Sequence, residues 1–85
     1  MNEQQVHPIA WLPGNPASPC PELLTEDEAI RYLRLDTIRI QDPAATLRSY
    51  RKRRLLLGTQ VSKKVFYRRT ELEAFLQRQT QENPR

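Results

Sequence analysis

Apolar residues recur at helical spacing in two segments, "LTEDEAIRYL" near the start of the chain and "TELEAFLQRQTQ" near its end. The apolar stripes are Ala29, Ile30 and Leu33 in the first segment and Leu72, Phe75 and Leu76 in the second. Each segment contains a Thr-x-x-Glu sequence, Thr25 with Glu28 and Thr70 with Glu73. In such a capping box both side chains bond to backbone N–H groups at the start of a helix. We therefore predict amphipathic helices beginning after Thr25 and Thr70.

A third helix is predicted over residues 43–54, "PAATLRSYRKRR". Asp42 is a favourable N-cap because its carboxylate accepts from first-turn N–H groups, and Pro43 suits the first helical position, where no N–H is needed. The apolar row is Ala44, Leu47 and Tyr50, with Arg54 next along it, and the residues around the rest of the helix are Thr46, Arg48, Ser49, Arg51, Lys52 and Arg53.

Alternating apolar residues predict strands on both sides of this helix. In "TIRI", Ile38 and Ile40 alternate with Arg39, which indicates a short half-buried strand that we expect to add a third strand to a sheet. The later stretch "LLLGTQVSKKVFYRR" has two β-prone runs around "SKK". It predicts a hairpin over residues 57–68 with Ser62, Lys63 and Lys64 at its tip.

The first 22 residues have no periodic apolar pattern and contain five of the seven prolines. We predict a mobile, extended arm over residues 1–22, with docking of Ile9, Trp11 and Leu12 onto the domain as the alternative. The folded domain is predicted over residues 23–79, followed by a polar tail over residues 80–85.

Charge is distributed unevenly along the chain, whose net charge is +4. Residues 43–70 contain nine of the 14 Lys and Arg residues and no acidic residue. A contiguous basic block of this kind is typical of a protein that binds a polyanion, with nucleic acid first, because each cation that faces a phosphate releases a condensed counterion. An isolated basic run is, however, also typical of a solvated helix face or a nuclear-import signal.

Composition argues against several other classes. With 85 residues, one cysteine and one histidine, the chain has no disulfide framework, no predicted metal site and no predicted cofactor. Cys20 lies between two prolines and His7 is in the arm, so no nucleophile has a base at a fixed distance and catalysis is not expected. No signal peptide is predicted and no apolar run is long enough to span a membrane, so a cytoplasmic location is predicted, nucleoid-associated if the source is prokaryotic.

The order of the predicted elements is helix, short strand, basic helix, basic-tipped hairpin and helix. A helix fits the major groove of DNA and a neighbouring hairpin reaches the next groove or the backbone, as in a winged helix-turn-helix. The predicted fold class is therefore α+β, a small winged helix-turn-helix of three helices with a two- or three-stranded wing sheet. The basic helix and the hairpin contain eight of the nine cations in the block.

Four motifs in this order resemble a known family. "LLTEDEAIRYLRL", "TLRSYRKRRLL", the wing sequence "QVSKKVFYRR" and the closing "TELEAFL" are similar to the excisionase-type DNA-binding domain of the MerR superfamily. The family pattern is "LT..EAA.YL", "T(L/V)R.Y...GLL", a wing, and "Y.R.DLEAFL". The resemblance covers about residues 23–77.

The resemblance implies roles for individual residues. Thr46, Arg48, Ser49 and Lys52 match positions that face the major groove, Tyr50 matches an aromatic that packs or contacts the DNA backbone, and Lys63 and Lys64 match basic wing positions. From their places on the predicted helix and hairpin, Arg53 and Arg68 are added to this candidate DNA-binding set. The implied core positions are Ala29, Leu33, Leu47, Leu56, Tyr67, Leu72 and Phe75.

The chain departs from the family pattern at three points. Arg54 stands where the family has a glycine that ends the recognition helix, and an arginine in a left-handed conformation is strained. We expect Gly58 to form the turn instead. Ser62 replaces a wing glycine, and "TIRIQDP" lengthens the connection between the first two helices.

Double-stranded DNA binding is the predicted function, as an excisionase-like accessory factor in recombination or as a small transcriptional regulator. The predicted partners are DNA and a recombinase or the transcription machinery, and the predicted state is a monomer or a cooperative assembly on DNA. RNA binding is less favoured because no RNP aromatic pair and no GXXG loop is present. The alternative is a protein interaction adaptor that docks through Leu55, Leu56 and Leu57 or through Trp11.

Overall fold

A computed structural model describes residues 11–14 and 16–82 and has an α+β fold with three helices and two small antiparallel sheets. In chain order the elements are β1 (Trp11–Leu12), β2 (Ser18–Pro19), β3 (Leu23–Leu24), α1 (Glu26–Tyr32), α2 (Pro43–Lys52), β4 (Thr59–Val61), β5 (Lys64–Arg68) and α3 (Arg69–Glu82). The strands β1 and β2 form one sheet, and β3, β5 and β4 form the other with β5 in the centre. No helix in the described ranges is long and apolar enough to cross a bilayer.

The predicted start of α1 is confirmed. The Glu28 N–H donates to Thr25 Oγ1 at 3.2 Å, and the Thr25 N–H donates to Glu28 Oε1 at 2.9 Å, so the capping box is complete. Ala29 and Ile30 face the core.

The second predicted capping box is wrong. The third helix begins at Arg69, so Thr70 lies inside it and is not its N-cap. The reason is that β5 continues directly into α3, and the Arg69 N–H donates to the Glu22 carbonyl at 2.8 Å. Chain pairing with the segment before β3 thus sets where this helix starts.

The second helix begins as predicted and ends two residues early. Asp42 Oδ1 accepts from the Ala45 N–H at 3.1 Å, with Pro43 in the first helical turn. At the other end Arg53 is the C-cap, and Arg54 has a φ of 61°. Arg54 therefore follows the helix in the left-handed conformation. The prediction that the helix extends to residue 54 is wrong.

The prediction that Gly58 forms this turn is wrong. Both glycines of the chain are described, and neither has a positive φ. Gly58 instead lies where a side chain has no room, because a β-carbon there would be 2.7 Å from Val65 Cγ1 and 3.1 Å from Arg51 Cδ. Its role is close packing between α2 and β5.

The third strand of the larger sheet does not come from "TIRI". It is β3, in which Leu23 pairs with Arg68 and Leu24 with Tyr67 of β5. Residues 33–42 form turns, and their backbone groups bond locally, as from the Ile40 N–H to the Ile38 carbonyl at 2.7 Å. Ile38 is 53% exposed, so the alternation of apolar residues in "TIRI" does not mark the buried face of a strand.

The β4–β5 hairpin forms as predicted in outline. Val61 pairs with Lys64, which leaves Ser62 and Lys63 as a two-residue loop. Ser62 has a φ of 59°, the left-handed value that a glycine would supply in the type II′ turn of such hairpins. Lys64 is the first residue of β5 rather than part of the loop.

The core lies between the helices and the inner face of the larger sheet. Its fully buried side chains of largest volume are Tyr67, Leu12, Leu24, Leu47, Leu56 and Leu72. Ala29 and Phe75 are also buried, and Leu33 is half-buried against this cluster.

The described part of the arm is packed on the domain. Leu12 is fully buried and Cys20 nearly so, whereas Trp11 is 59% exposed, and Ile9 lies outside the described residues. Arg31 Nε donates to the Pro13 carbonyl at 3.1 Å, and Arg69 Nη1 donates to the Cys20 carbonyl at 3.3 Å. The docking alternative therefore fits the described residues of the arm, 11–14 and 16–22. The domain boundaries at residues 22 and 79 stay predictions.

Replacing Leu12 with alanine should lower the free energy of unfolding by about 2 to 5 kcal/mol, because the change removes a fully buried side chain and leaves a cavity. Urea denaturation measures this difference. Trp11→Ala, one residue away and mostly exposed, is the control and should change stability by less than about 1 kcal/mol. Equal small effects of the two substitutions would contradict docking of the arm.

Candidate nucleic-acid interface

The second helix presents a polar face to solvent because its apolar residues anchor it to the core. Leu47 is fully buried, and Tyr50 is half-buried against the core cluster. The predicted site residues on the outward side of α2 are exposed: Arg48, Ser49, Lys52 and Arg53. Ser49 and Lys52 are three residues apart, so they lie one helical turn from each other on the same face.

Two predicted site residues on α2 are half-buried and have internal partners. The Thr46 hydroxyl donates to the Asp42 carbonyl at 3.3 Å, back at the helix start. The Tyr50 ring packs against Phe75 of α3 with ring centroids 5.2 Å apart, and the guanidinium of Arg53 lies 5.9 Å from the Tyr50 ring centroid. Tyr50 therefore acts as a packing aromatic that also holds Arg53 along the edge of the helix.

Arg48 is bound to the start of α1. Its Nη1 lies 3.3 Å from Glu26 Oε2, in an ion pair whose side chains are 50% and 37% exposed. A pair this exposed contributes about 0 to 1 kcal/mol to stability, so it can be exchanged for another anion with little loss. Glu26 thus orients Arg48 without immobilising it.

Arg51, which belongs to the "RKRR" run, points inward. Its Nη1 donates to the hydroxyl of the fully buried Tyr67 at 2.7 Å. We predicted that this residue lies around the polar side of the helix, but it is four residues after Leu47 and so shares the buried face. That spacing is the sequence signal that identifies Arg51 as structural.

The hairpin adds three exposed cations. Lys63 lies in its loop, and Lys64 and Arg68 lie on β5. Because side chains alternate along a strand, Lys64 and Arg68 share one face, about 13 Å apart along the strand. Arg68 lies beside Glu22, Arg69 and Thr70, so the structure places it away from the hairpin tip.

A groove of about 480 Å³ lies where the start of α1, Arg51 of α2 and the first residues of β5 meet. It is lined by Thr25, Glu26 and Asp27 at the start of α1, by Arg51 of α2, and by Lys64, Val65 and Phe66 of β5. Arg48 lies at one border through its pair with Glu26, and Lys64 lies at the other. The groove therefore places Lys64 near two carboxylates, Glu26 and Asp27, one of which is paired with Arg48.

Titratable groups with shifted pKa values lie on other surfaces. Burial raises the pKa of the Cys20 thiol, which donates to the Pro21 carbonyl at 3.4 Å. Burial and then the Glu73 carboxylate raise the pKa of Tyr32. Both shifts favour the neutral side chain. Within the part of the chain that the structure describes, no group of three or more His, Cys, Asp and Glu residues is placed to hold a metal ion.

Comparison with protein-family models, with curated proteins and with solved structures finds no match to this chain. A functional assignment therefore depends on the charge and geometry of the interface.

Arg51→Ala should lower the free energy of unfolding by about 1 to 3 kcal/mol, because it leaves the buried Tyr67 hydroxyl without its charged donor. The neighbouring Lys52→Ala removes the same charge from an exposed position and should change stability by about 0.5 kcal/mol or less. Chemical denaturation of the two variants gives the comparison. Equal effects would show that Arg51 is not anchored as described.

Proposed function

We propose that this chain binds double-stranded DNA as a winged helix-turn-helix domain, with α2 in the major groove and the β4–β5 hairpin as a wing on the minor groove or backbone. The observation that carries the proposal is the presence of exposed cations on two separate elements, Arg48 and Lys52 on α2 and Lys63 and Lys64 on the hairpin. Lys64 lines the groove, and Arg48 is paired with Glu26, which lines it too. The proposed role is that of an excisionase-like accessory factor or a small transcriptional regulator, as the resemblance of the motifs implies.

The dimensions of α2 support a fit to the major groove. A helix with its side chains is about 10 to 12 Å across, close to the groove width of about 12 Å. The outward row of α2 consists of Ala45, Ser49 and Lys52, all exposed and small or polar. Lys52 and the neighbouring Arg48 are the side chains with donors suited to the O6 and N7 acceptors of guanine.

The acidic side chains in the groove refine the proposal. Glu26 and Asp27 repel phosphate, so DNA backbone is favoured on the hairpin and the flanks of α2 and disfavoured at the start of α1. An ion pair between Glu26 and Arg48 also fixes the direction of a long side chain before DNA is bound. A side chain that is already oriented loses less entropy on binding.

The adaptor alternative has less exposed surface than the sequence indicates. Leu56 is fully buried and Leu55 is half-buried against the core, which leaves Leu57, 60% exposed, as the outward member of the leucine run. Trp11 is the other exposed residue of this alternative. Docking through these two side chains would be nearly insensitive to salt, whereas DNA binding would not.

The first test is binding of the purified chain to a random-sequence duplex library at two salt concentrations. We expect an enriched motif and, for about five phosphate contacts, a slope of log affinity against log salt near −4 to −5. A palindromic motif would indicate a dimer on DNA, and tandem half-sites would indicate a cooperative assembly. Failure to bind any duplex at low salt would contradict the proposal.

Two lysines separate sequence readout from backbone contact. Lys52→Ala should weaken binding to the selected motif by about 1 to 3 kcal/mol and relax base preference at one position, because α2 is proposed to read base edges. Lys63→Ala removes the same charge from the hairpin loop and should weaken all duplexes alike. Fluorescence polarisation with selected and scrambled duplexes measures both. Uniform weakening by Lys52→Ala would contradict the recognition-helix assignment.

A further inference from the structure

Two helices of this chain end in the same motif with an arginine in the strained position. Arg34, after α1, has a φ of 62°, and Arg54, after α2, has a φ of 61°. In each case the N–H of the left-handed residue and the N–H of the next residue donate back into the last helical turn. For α2 these bonds run from Arg54 to the Arg51 carbonyl at 3.0 Å and from Leu55 to the Tyr50 carbonyl at 2.9 Å, which is a complete Schellman motif.

The surrounding structure imposes the turn after α2 whatever side chain residue 54 has. The Leu55 carbonyl accepts from Arg78 Nη2 at 2.9 Å, and the Leu57 N–H donates to Glu71 Oε2 at 3.1 Å. Glu71 and Arg78 are themselves paired at 3.0 Å, and Leu56 is fully buried. Glycine would adopt this conformation with less strain than any residue with a β-carbon.

A helix C-terminus favours a nearby cation, but no side-chain contact among the described residues accounts for an arginine rather than a glycine at this position. The Arg54 side chain is exposed and has no hydrogen bond or ion pair with another described residue. The two residues before it, Lys52 and Arg53, are exposed cations that repel it. A strained residue without a local partner is a reason to look for a function outside the chain.

We infer that Arg54 binds a backbone phosphate of the DNA at the C-terminal end of α2. This inference rests on the proposed function. Its Cα lies at most about 7.6 Å from that of Lys52, so the guanidinium is at the end of the proposed recognition helix. A guanidinium forms two parallel hydrogen bonds with a phosphate, and the contact carries no sequence information.

Arg34 is a matched control within the same chain. It has the same residue type, the same motif and nearly the same φ as Arg54. It lies, however, in residues 25–42, which contain five acidic residues against three arginines. Any favourable interaction of a cation with a helix C-terminus is also common to both positions, so comparing them cancels it.

The experiment measures duplex affinity and thermal unfolding for Arg54→Gly, Arg54→Lys and Arg34→Gly. The probe is a fluorescein-labelled mixed-sequence 20-base-pair duplex, titrated from 50 to 200 mM NaCl. Arg54→Gly should weaken binding about 5- to 10-fold at 0.1 M salt and reduce the salt slope by about 1, on the selected motif and the mixed duplex alike. It should also raise the unfolding midpoint by about 3 °C, because glycine relieves the strain.

The controls should separate charge from backbone. Arg54→Lys should keep the wild-type salt slope and the wild-type unfolding midpoint, since it keeps both the charge and the β-carbon. Arg34→Gly should raise the midpoint as Arg54→Gly does and leave affinity within about twofold.

Three results would overturn the inference. They are unchanged affinity in Arg54→Gly while the wild type binds DNA, an equal loss of affinity in Arg34→Gly, and a lowered unfolding midpoint in Arg54→Gly. Absence of duplex binding by the wild type would instead overturn the proposed function, and the inference with it.

Discussion

The hydrogen bond from Arg51 to the buried Tyr67 hydroxyl connects the two halves of the candidate interface. Tyr67 lies on the central strand of the larger sheet, and Arg51 is the point where α2 meets it. Gly58 allows this approach, since a β-carbon there would be only 2.7 Å from Val65 Cγ1 and in tight contact with Arg51 Cδ at 3.1 Å. The distance between helix and hairpin, and hence the groove between them, follows from this contact.

Some arginines of this chain bond to other parts of the fold and others are exposed, and the net charge counts both kinds alike. Arg31 and Arg69 donate to carbonyls of the described arm, Arg51 to Tyr67, and Arg78 to the turn after α2. These side chains supply polar cross-links that add to the small core of a chain of 85 residues. Only the remaining cations are available to a polyanion, and they concentrate on α2 and the hairpin.

Features governed by neighbouring residues could be predicted from the sequence. The capping box of Thr25 and Glu28 and the Asp42–Pro43 helix start depend on residues within one turn, and both formed. Features governed by distant pairing could not. The start of α3 depends on a bond to Glu22, and the third strand on pairing of Leu23 and Leu24 with β5, which no local alternation records.

The candidate site was predictable to the same degree. Exposure of Arg48, Ser49 and Lys52 follows from their spacing relative to Leu47, and Arg51 would have been recognised as inward by the same rule. The pair between Arg48 and Glu26 was not predictable, because it joins residues 22 positions apart across two helices. The order of the motifs predicted which elements are exposed. It did not predict which cation and which carboxylate form an ion pair.

The left-handed residues of this chain differ in the hydrogen bonds that hold their backbone. Neither glycine has a positive φ, and in residues 11–14 and 16–82 three turns instead have a left-handed residue with a side chain, Arg34, Arg54 or Ser62. The turn at Ser62 has a local compensation, since its carbonyl accepts from Gln60 Nε2 at 3.3 Å, and the carbonyl of Arg34 accepts from the Thr37 hydroxyl at 2.6 Å. The carbonyl and side chain of Arg54 have no comparable side-chain partner among the described residues. The turn that ends α2 is instead held through the residues that follow Arg54, by the bonds from Arg78 to the Leu55 carbonyl and from the Leu57 N–H to Glu71.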